Sequence, residues 1–132
     1  DDTGFEQGLH LICAKSVKIG KSVTVSAYVM IQDAEHDYRD IEINVLEQKL
    51  CVSPVEIGDG TFIGLGARIM PGTKLGKHCI VGSNAVVLGG VYPDYSVLVG
   101  CPAKCIKYYD TINNKWEKME ETEKFDSEQE DS

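Results

Sequence analysis

The 132-residue sequence contains no run of about 18 apolar residues, which excludes a membrane-spanning helix on hydropathy grounds. None of its five cysteines (Cys13, Cys51, Cys79, Cys101 and Cys105) forms a CxxC pair, and an odd number cannot close a disulfide framework. A zinc ribbon and a disulfide-stapled secreted domain are both disfavoured, and a reducing compartment is expected. The opening residues DDTGFEQ lack the basic and apolar stretches of a secretion signal, so a cytoplasmic protein is expected. Cations are in deficit: 13 Lys and Arg against 21 Asp and Glu give a formal charge of -8, which argues against a nucleic-acid partner. Much of that charge sits in the closing EETEKFDSEQEDS, where disorder is expected from about Glu120. A chain this short has little surplus core, so self-association is expected.

What the sequence does contain is a repeat of six. From Ile57, the aliphatic residues Ile57, Ile63, Ile69, Leu75, Val81 and Val87 hold one register, and Val99 is expected to rejoin it after Pro93 takes one place. Glycine fills four of the six following positions, at Gly58, Gly64, Gly76 and Gly82, where it is expected to supply the positive backbone angles of tight corners. Four residues after each aliphatic stand Thr61, Ala67, Thr73, Cys79, Ala85, Val91, Val97 and Ala103, all small or β-branched. A helix needs apolar spacings of three and four, and hairpin strands need alternation broken by turns, so neither template fits. The pattern predicts an all-β coil with short parallel strands on flat faces, the aliphatic residue stacked inside.

An earlier tract keeps the same spacing at Cys13, Ile19, Val25 and Ile31, with Val17, Val23 and Val29 at the small position, but its register differs by two. An insertion therefore lies between the tracts, from about Gln32 to Pro54. The expected organisation is a coil domain over 1–110 with an ejected loop at about 32–54, followed by a C-terminal extension over 111–132 that ends in the acidic tail. The stretch KCIKYYDTINNKWEKM is expected to cover the open end of the core as a strand or short helix.

The segments VEIGDGTFIGLGARIMPGTKLGKHCIVGSNAVV and VGCPAKCIKYYD resemble the hexapeptide-repeat acetyltransferases, in particular the maltose, galactoside and polysaccharide O-acetyltransferase branch. The resemblance spans roughly 9–110. It implies a left-handed parallel β-helix, a homotrimer with active sites between subunits, and transfer of an acetyl group from acetyl-CoA to a sugar hydroxyl, with an amino group on a nucleotide-linked sugar as the alternative acceptor. No metal is expected. The family's catalytic histidine maps onto His36, five residues after inward Ile31, as the general base; a neutral imidazole near pH 7 can take the proton of an attacking hydroxyl. Asp33, Glu35 or Asp37 could orient the ring, and a backbone carbonyl would serve equally.

Asp33, Glu35, Tyr38, Arg39 and Phe62 are the expected acceptor-side residues, Phe62 standing where the family often has tryptophan. For coenzyme A, the resemblance points to Leu65, Ala67, Ser83, Ala85, Lys104 and Lys107. Leu65 replaces a serine, so the Leu65 or Gly66 backbone amide must serve the oxyanion. Small Ala67, Ser83 and Ala85 are expected to expose backbone groups to pantetheine, and Lys104 and Lys107 to meet the phosphates. Leu88 and Gly89 replace a threonine and a lysine of the galactoside branch. Two other classes compete. A γ-type carbonic anhydrase would bind zinc through three histidines, and His10, His36 and His78 match in number but not in spacing. A non-catalytic β-helix scaffold would leave His36 without a role.

Overall fold

In the computed structural model, which describes residues 3–119, the chain winds as a three-sided prism of short strands. The acidic tail lies outside the described residues. The first coil holds β1 (Gly4–Phe5), β2 (His10–Ile12) and β3 (Val17–Ile19). The second holds β4 (Thr24–Val25) and β5 (Met30–Gln32), then sends out a ribbon of β6 (Ala34–His36) and β7 (Leu50–Val52) before returning as β8 (Val55–Ile57). β9 (Phe62–Ile63), β10 (Arg68–Ile69) and β11 (Thr73–Leu75) make the third coil; β12 (Ile80–Val81), β13 (Val86–Val87) and β14 (Gly90–Tyr92) make the fourth. β15 (Val97–Val99) opens a fifth turn, and the long β16 (Lys104–Asp110) and β17 (Lys115–Lys118) close the chain. Among the described residues no helix is long and apolar enough to cross a membrane.

Strands of successive coils pair in parallel, and the pairing repeats the sequence period three times per coil: Ile57 lies beside Leu75, and Ile63 beside Val81. This is the left-handed parallel β-helix that the family resemblance implies. Val25, Ile31, Ile63, Ile69, Val81 and Val87 are wholly buried inside the prism, and the small positions Thr61, Ala67, Thr73, Cys79 and Ala85 are buried beside them. The polar members of that set are satisfied locally, Thr61 Oγ1 donating to the Gly76 carbonyl (3.2 Å) and Thr73 Oγ1 to that of Met70 (2.8 Å). No buried side-chain nitrogen or oxygen among the described residues lacks a partner.

The register difference between the two tracts is taken up by the ribbon. Strict spacing would set Asp37 beside Ile19, yet Ile57 pairs with it, while Ile31 pairs with Ile69. A second irregularity overturns part of the expected register. Val81 pairs with Leu98, not Val99, and Leu75 pairs with Tyr92, so the fourth coil is one residue short. The corner after Val87 turns through Gly89 and Gly90, with φ of 118° and 97°. In consequence Leu98 and Ser96 are buried, Val91 is 77% exposed, and Val97 and Val99 are only half buried.

The glycines also act otherwise than expected. Positive φ falls at Gly60, Gly66, Gly72, His78 and Asn84, again every six residues, and not at Gly58, Gly64, Gly76 or Gly82. Gly58, Gly64 and Gly76 are required for clearance, whereas a Cβ on Gly82 would meet only the Val99 side chain at 3.0 Å. A Cβ on Gly64 would lie 2.8 Å from the Ser83 backbone nitrogen, and one on Gly58 would strike the Gly76 carbonyl.

The closing KCIKYYDTINNKWEKM forms an antiparallel hairpin in the plane of the first face: β15 pairs with β16, and β16 with β17. It is a strand, as one of the two expected forms, and it leaves a cavity of about 710 Å³ between itself and the last coil.

Ile69→Ala is expected to destabilise the fold by about 2–5 kcal/mol through loss of burial and a residual cavity. Gly64→Ala should cost at least about 1–3 kcal/mol by forcing the third and fourth coils apart. Both are read from the midpoint of chemical unfolding, and a neutral Gly64→Ala would contradict the clearance argument.

Candidate active site

The ribbon starts where the coil would turn its second corner. Asp33 is wholly buried there, and its carboxylate accepts from three backbone amides of the coil below: Ala14 (2.7 Å), Lys15 (2.8 Å) and Ser16 (2.8 Å). Its main chain accepts from Ser53 N–H (2.8 Å), tying the two ends of the ribbon together. The Ala14 amide above all, with those of Lys15 and Ser16, holds this carboxyl below the usual carboxylate range against the opposing effect of burial. Asp33 is therefore a corner post, which corrects its assignment as an acceptor-binding residue.

Beyond it, alternation along β6 buries Ala34, exposes Glu35 and leaves His36 half buried. β6 pairs antiparallel with β7, His36 opposite Leu50. His36 Nδ1 lies 3.2 Å from the carbonyl oxygen of Gln48. A carbonyl only accepts, so Nδ1 carries the hydrogen, and in the neutral ring Nε2 is then the nitrogen with the lone pair. Of the partners left open by the sequence, the backbone carbonyl is the one realised. Asp33 is committed to the corner, and Asp37 binds Arg39, whose Nε and Nη2 donate to its two oxygens at 2.9 and 2.7 Å. That side-chain contact with Arg39 holds the Asp37 carboxyl far below its ordinary range.

His36 lines a cleft of about 410 Å³ walled by Ile12, Cys13 and Ala14 of the first coil, Gln32 of the second, and Ala34, Glu35 and Leu50 of the ribbon. Glu35 is the other expected acceptor-side residue in this wall. Tyr38 is 74% exposed further along the ribbon, and Arg39 is held by Asp37.

The remaining candidates lie on a different face. Thr24, Phe62, Ile80 and Val97 follow one another in register across β4, β9, β12 and β15, beside the buried Val25, Ile63, Val81 and Leu98, and a bulge at Val97/Leu98 sets Lys107 of β16 opposite Val97. Phe62, 41% exposed, and Lys107 are three strand spacings apart, roughly 14 Å. Lys104 lies on the same strand, opposite Val99. Leu65 and Ser83 are exposed at successive levels of the corner beside this face, Asn84 N–H donating to the Leu65 carbonyl (2.8 Å). The Gly66 amide donates to the Ala27 carbonyl (3.0 Å), leaving Leu65 N–H as the oxyanion candidate. Ala67 and Ala85 need correction. Both are wholly buried, and their amides donate to the Gly64 and Gly82 carbonyls (3.2 Å each), so they expose no N–H to pantetheine.

One chain thus gathers its candidates in two places and does not join them. Sequence reasoning missed the Gln48 carbonyl, because a backbone acceptor has no residue signature. Among the described residues no group of three His, Cys, Asp or Glu side chains is placed to hold a metal. His10 is on β2 and His78 at a corner before β12.

Comparison with known proteins adds three likenesses and a family match. Residues 54–89 match the bacterial transferase hexapeptide family (six repeats). A Mycobacterium tuberculosis protein named as an acetyltransferase is 42% identical over 91 residues, covering 69% of this chain and 30% of the relative. An Escherichia coli protein named for lipopolysaccharide-biosynthesis O-acetyl transfer is 31% identical over 125 residues, covering 89% of this chain and 63% of the relative. Among solved structures, a galactoside acetyltransferase in complex with coenzyme A aligns with a TM-score of 0.70 at 23% identity, over 80% of this chain and 51% of that one, a likeness of fold. The chain spans less than two thirds of the length of each of these three proteins.

Asp33→Ala is expected to lower the melting temperature at pH 7 by on the order of 5–10 °C, since three amides lose their acceptor. Because the folded pKa is lowered, this contribution is complete above about pH 4–5 and fades as pH falls toward the folded value. The variant should therefore show a flatter acid limb than the parent in a pH series of melting curves.

Proposed function

Since the chain belongs to the hexapeptide-repeat family, we propose that it is an acetyl-CoA-dependent O-acetyltransferase acting on a sugar hydroxyl in polysaccharide or glycolipid synthesis. The observation that carries this reading is His36 in its cleft, with Nδ1–H committed to the Gln48 carbonyl and Nε2 left as the acceptor nitrogen.

The acceptor hydroxyl gives its proton to His36 Nε2 as its oxygen bonds to the thioester carbonyl carbon. The Leu65 amide stabilises the resulting oxyanion, an interaction worth about 3 kcal/mol in comparable sites. Collapse of that intermediate breaks the carbon–sulfur bond, and the departing thiolate takes the proton back from the imidazolium. Glu35, in the wall of the cleft, and exposed Tyr38 are the acceptor-side contacts, with Arg39 oriented by Asp37. Phe62 and Ser83 flank the pantetheine path, and Lys104 and Lys107 meet the phosphates. The row from Phe62 to Lys107 suits a long arm ending in anions.

The separation of this row from the His36 cleft supports a homotrimer, in which a neighbouring copy brings the missing half. Large apolar side chains exposed around the ribbon fit the same view: Ile41 is 96%, Leu46 81% and Leu50 50% exposed. Five unpaired thiols support a cytoplasmic setting.

The test is coenzyme A release from acetyl-CoA across a panel of sugars, with amino sugars included to separate O- from N-transfer. His36→Ala should lower kcat by about 10²–10⁴-fold with the solution mass unchanged. Lys104→Ala and Lys107→Ala should raise KM for acetyl-CoA with kcat preserved. A His36→Ala variant as active as the parent would refute the reading.

A further inference from the structure

Between Tyr38 and Ser53 every residue is exposed except Gln48, which is half buried. A loop without an apolar core must be ordered by hydrogen bonds, and here one carboxamide provides those that join its two arms above the base of the ribbon. Gln48 Nε2 donates to the carbonyls of Asp40 and Ile43 (2.9 Å each), and Oε1 accepts from Asp40 N–H (3.3 Å). The main chain of the same residue donates N–H to the Val45 carbonyl (3.1 Å) and offers its own carbonyl to His36 Nδ1–H. The near and far arms of the loop therefore meet at the residue that holds the imidazole.

We infer that Gln48 is a positioning residue for His36. Its side chain fixes the 40–48 loop, the loop fixes the carbonyl, and the carbonyl selects the Nδ1–H tautomer, leaving Nε2 basic. The other bonds inside the loop are short-range turn contacts, such as Glu42 N–H to Asp40 Oδ1 (3.0 Å) and Glu47 N–H to the Asn44 carbonyl (2.9 Å), and none spans the two arms. The base of the ribbon is held separately by Asp37 N–H to the Lys49 carbonyl (2.9 Å), so losing the carboxamide loosens the loop without dismantling β6 and β7. The effect on turnover rests on His36 acting as the base; the effect on the ring does not.

The experiment reads the two separately. Ring ¹⁵N spectra of His36, together with steady-state kinetics, are recorded for the parent, Gln48→Ala and Gln48→Glu. The glutamate keeps an acceptor for Asp40 N–H but donates to neither carbonyl, and it serves as the second variant should the alanine form fold poorly. Both variants are expected to shift the ring from the Nδ1–H form toward a tautomer mixture. Both should lower kcat by about 10–100-fold while KM for acetyl-CoA stays within about 2-fold, the signature of a misplaced base. A ring that keeps its tautomer in the folded variants overturns the inference, whatever the rates do. A shifted ring with unchanged turnover upholds the hold of Gln48 on His36 and removes His36 from the chemistry.

Discussion

Each coil lies one strand spacing, about 4.8 Å, above the one before it, and that contact governs what every position can be. At this spacing some corners have room for a backbone but not for a Cβ, and there Gly58 and Gly64 press against the carbonyls and amides of the next coil. Inside, the same spacing makes a ladder of like side chains, Val25, Ile63, Val81 and Leu98, each in register with the next. A larger residue at any rung would push two coils apart and break the hydrogen bonds of three faces at once. Burial and backbone pairing are one constraint here, and it makes the scaffold rigid.

The ribbon is held on different terms. Nothing from Tyr38 to Ser53 is buried, so its order comes from polar contacts: the Asp33 carboxylate at its root, the Asp37–Arg39 pair at mid-height and the Gln48 carboxamide across the top. Its root replaces a coil corner with a charge, and three amides are a sufficient counterweight because a buried carboxylate is stable only when fully hydrogen-bonded. A loop ordered this way can change its tip residues without cost to the core, which on the proposed reading suits a segment that meets a substrate.

These differences explain how much could be read from sequence alone. The inward aliphatic rows were legible because every rung repeats the same physical demand; the one-residue slip at Gly89 and Gly90 was not, because two adjacent glycines signal a sharp corner without saying that a residue is missing. The glycine positions are legible in the repeat while their cause is not, since sequence cannot separate a need for positive φ from a need for clearance. His36 is legible only through the family resemblance, which implies a catalytic histidine five residues after an inward aliphatic such as Ile31. Asp33, two residues beyond the same Ile31, looked like another acid of a functional loop, and only its three amide contacts make it structural. Gln48 carried no signal, because its partners are backbone atoms brought close by the fold.

The closing hairpin bears on function through its plane. A solenoid must end, and an apolar plug laid across the prism would be the direct solution; instead β16 and β17 continue the first face edge-on. The hairpin is anchored by an aromatic series running up one corner, His78 to Tyr95 to Tyr109 to Trp116, with ring centroids 5.9, 5.7 and 5.3 Å apart. A plug would have turned Lys104 and Lys107 over the end of the core. Extension in the plane, with a bulge that sets Lys107 and not Ile106 opposite Val97, places Lys107 in the same row as Phe62, so on the proposed reading the way the coil stops is also what lengthens its cofactor face to the reach of a pantetheine arm.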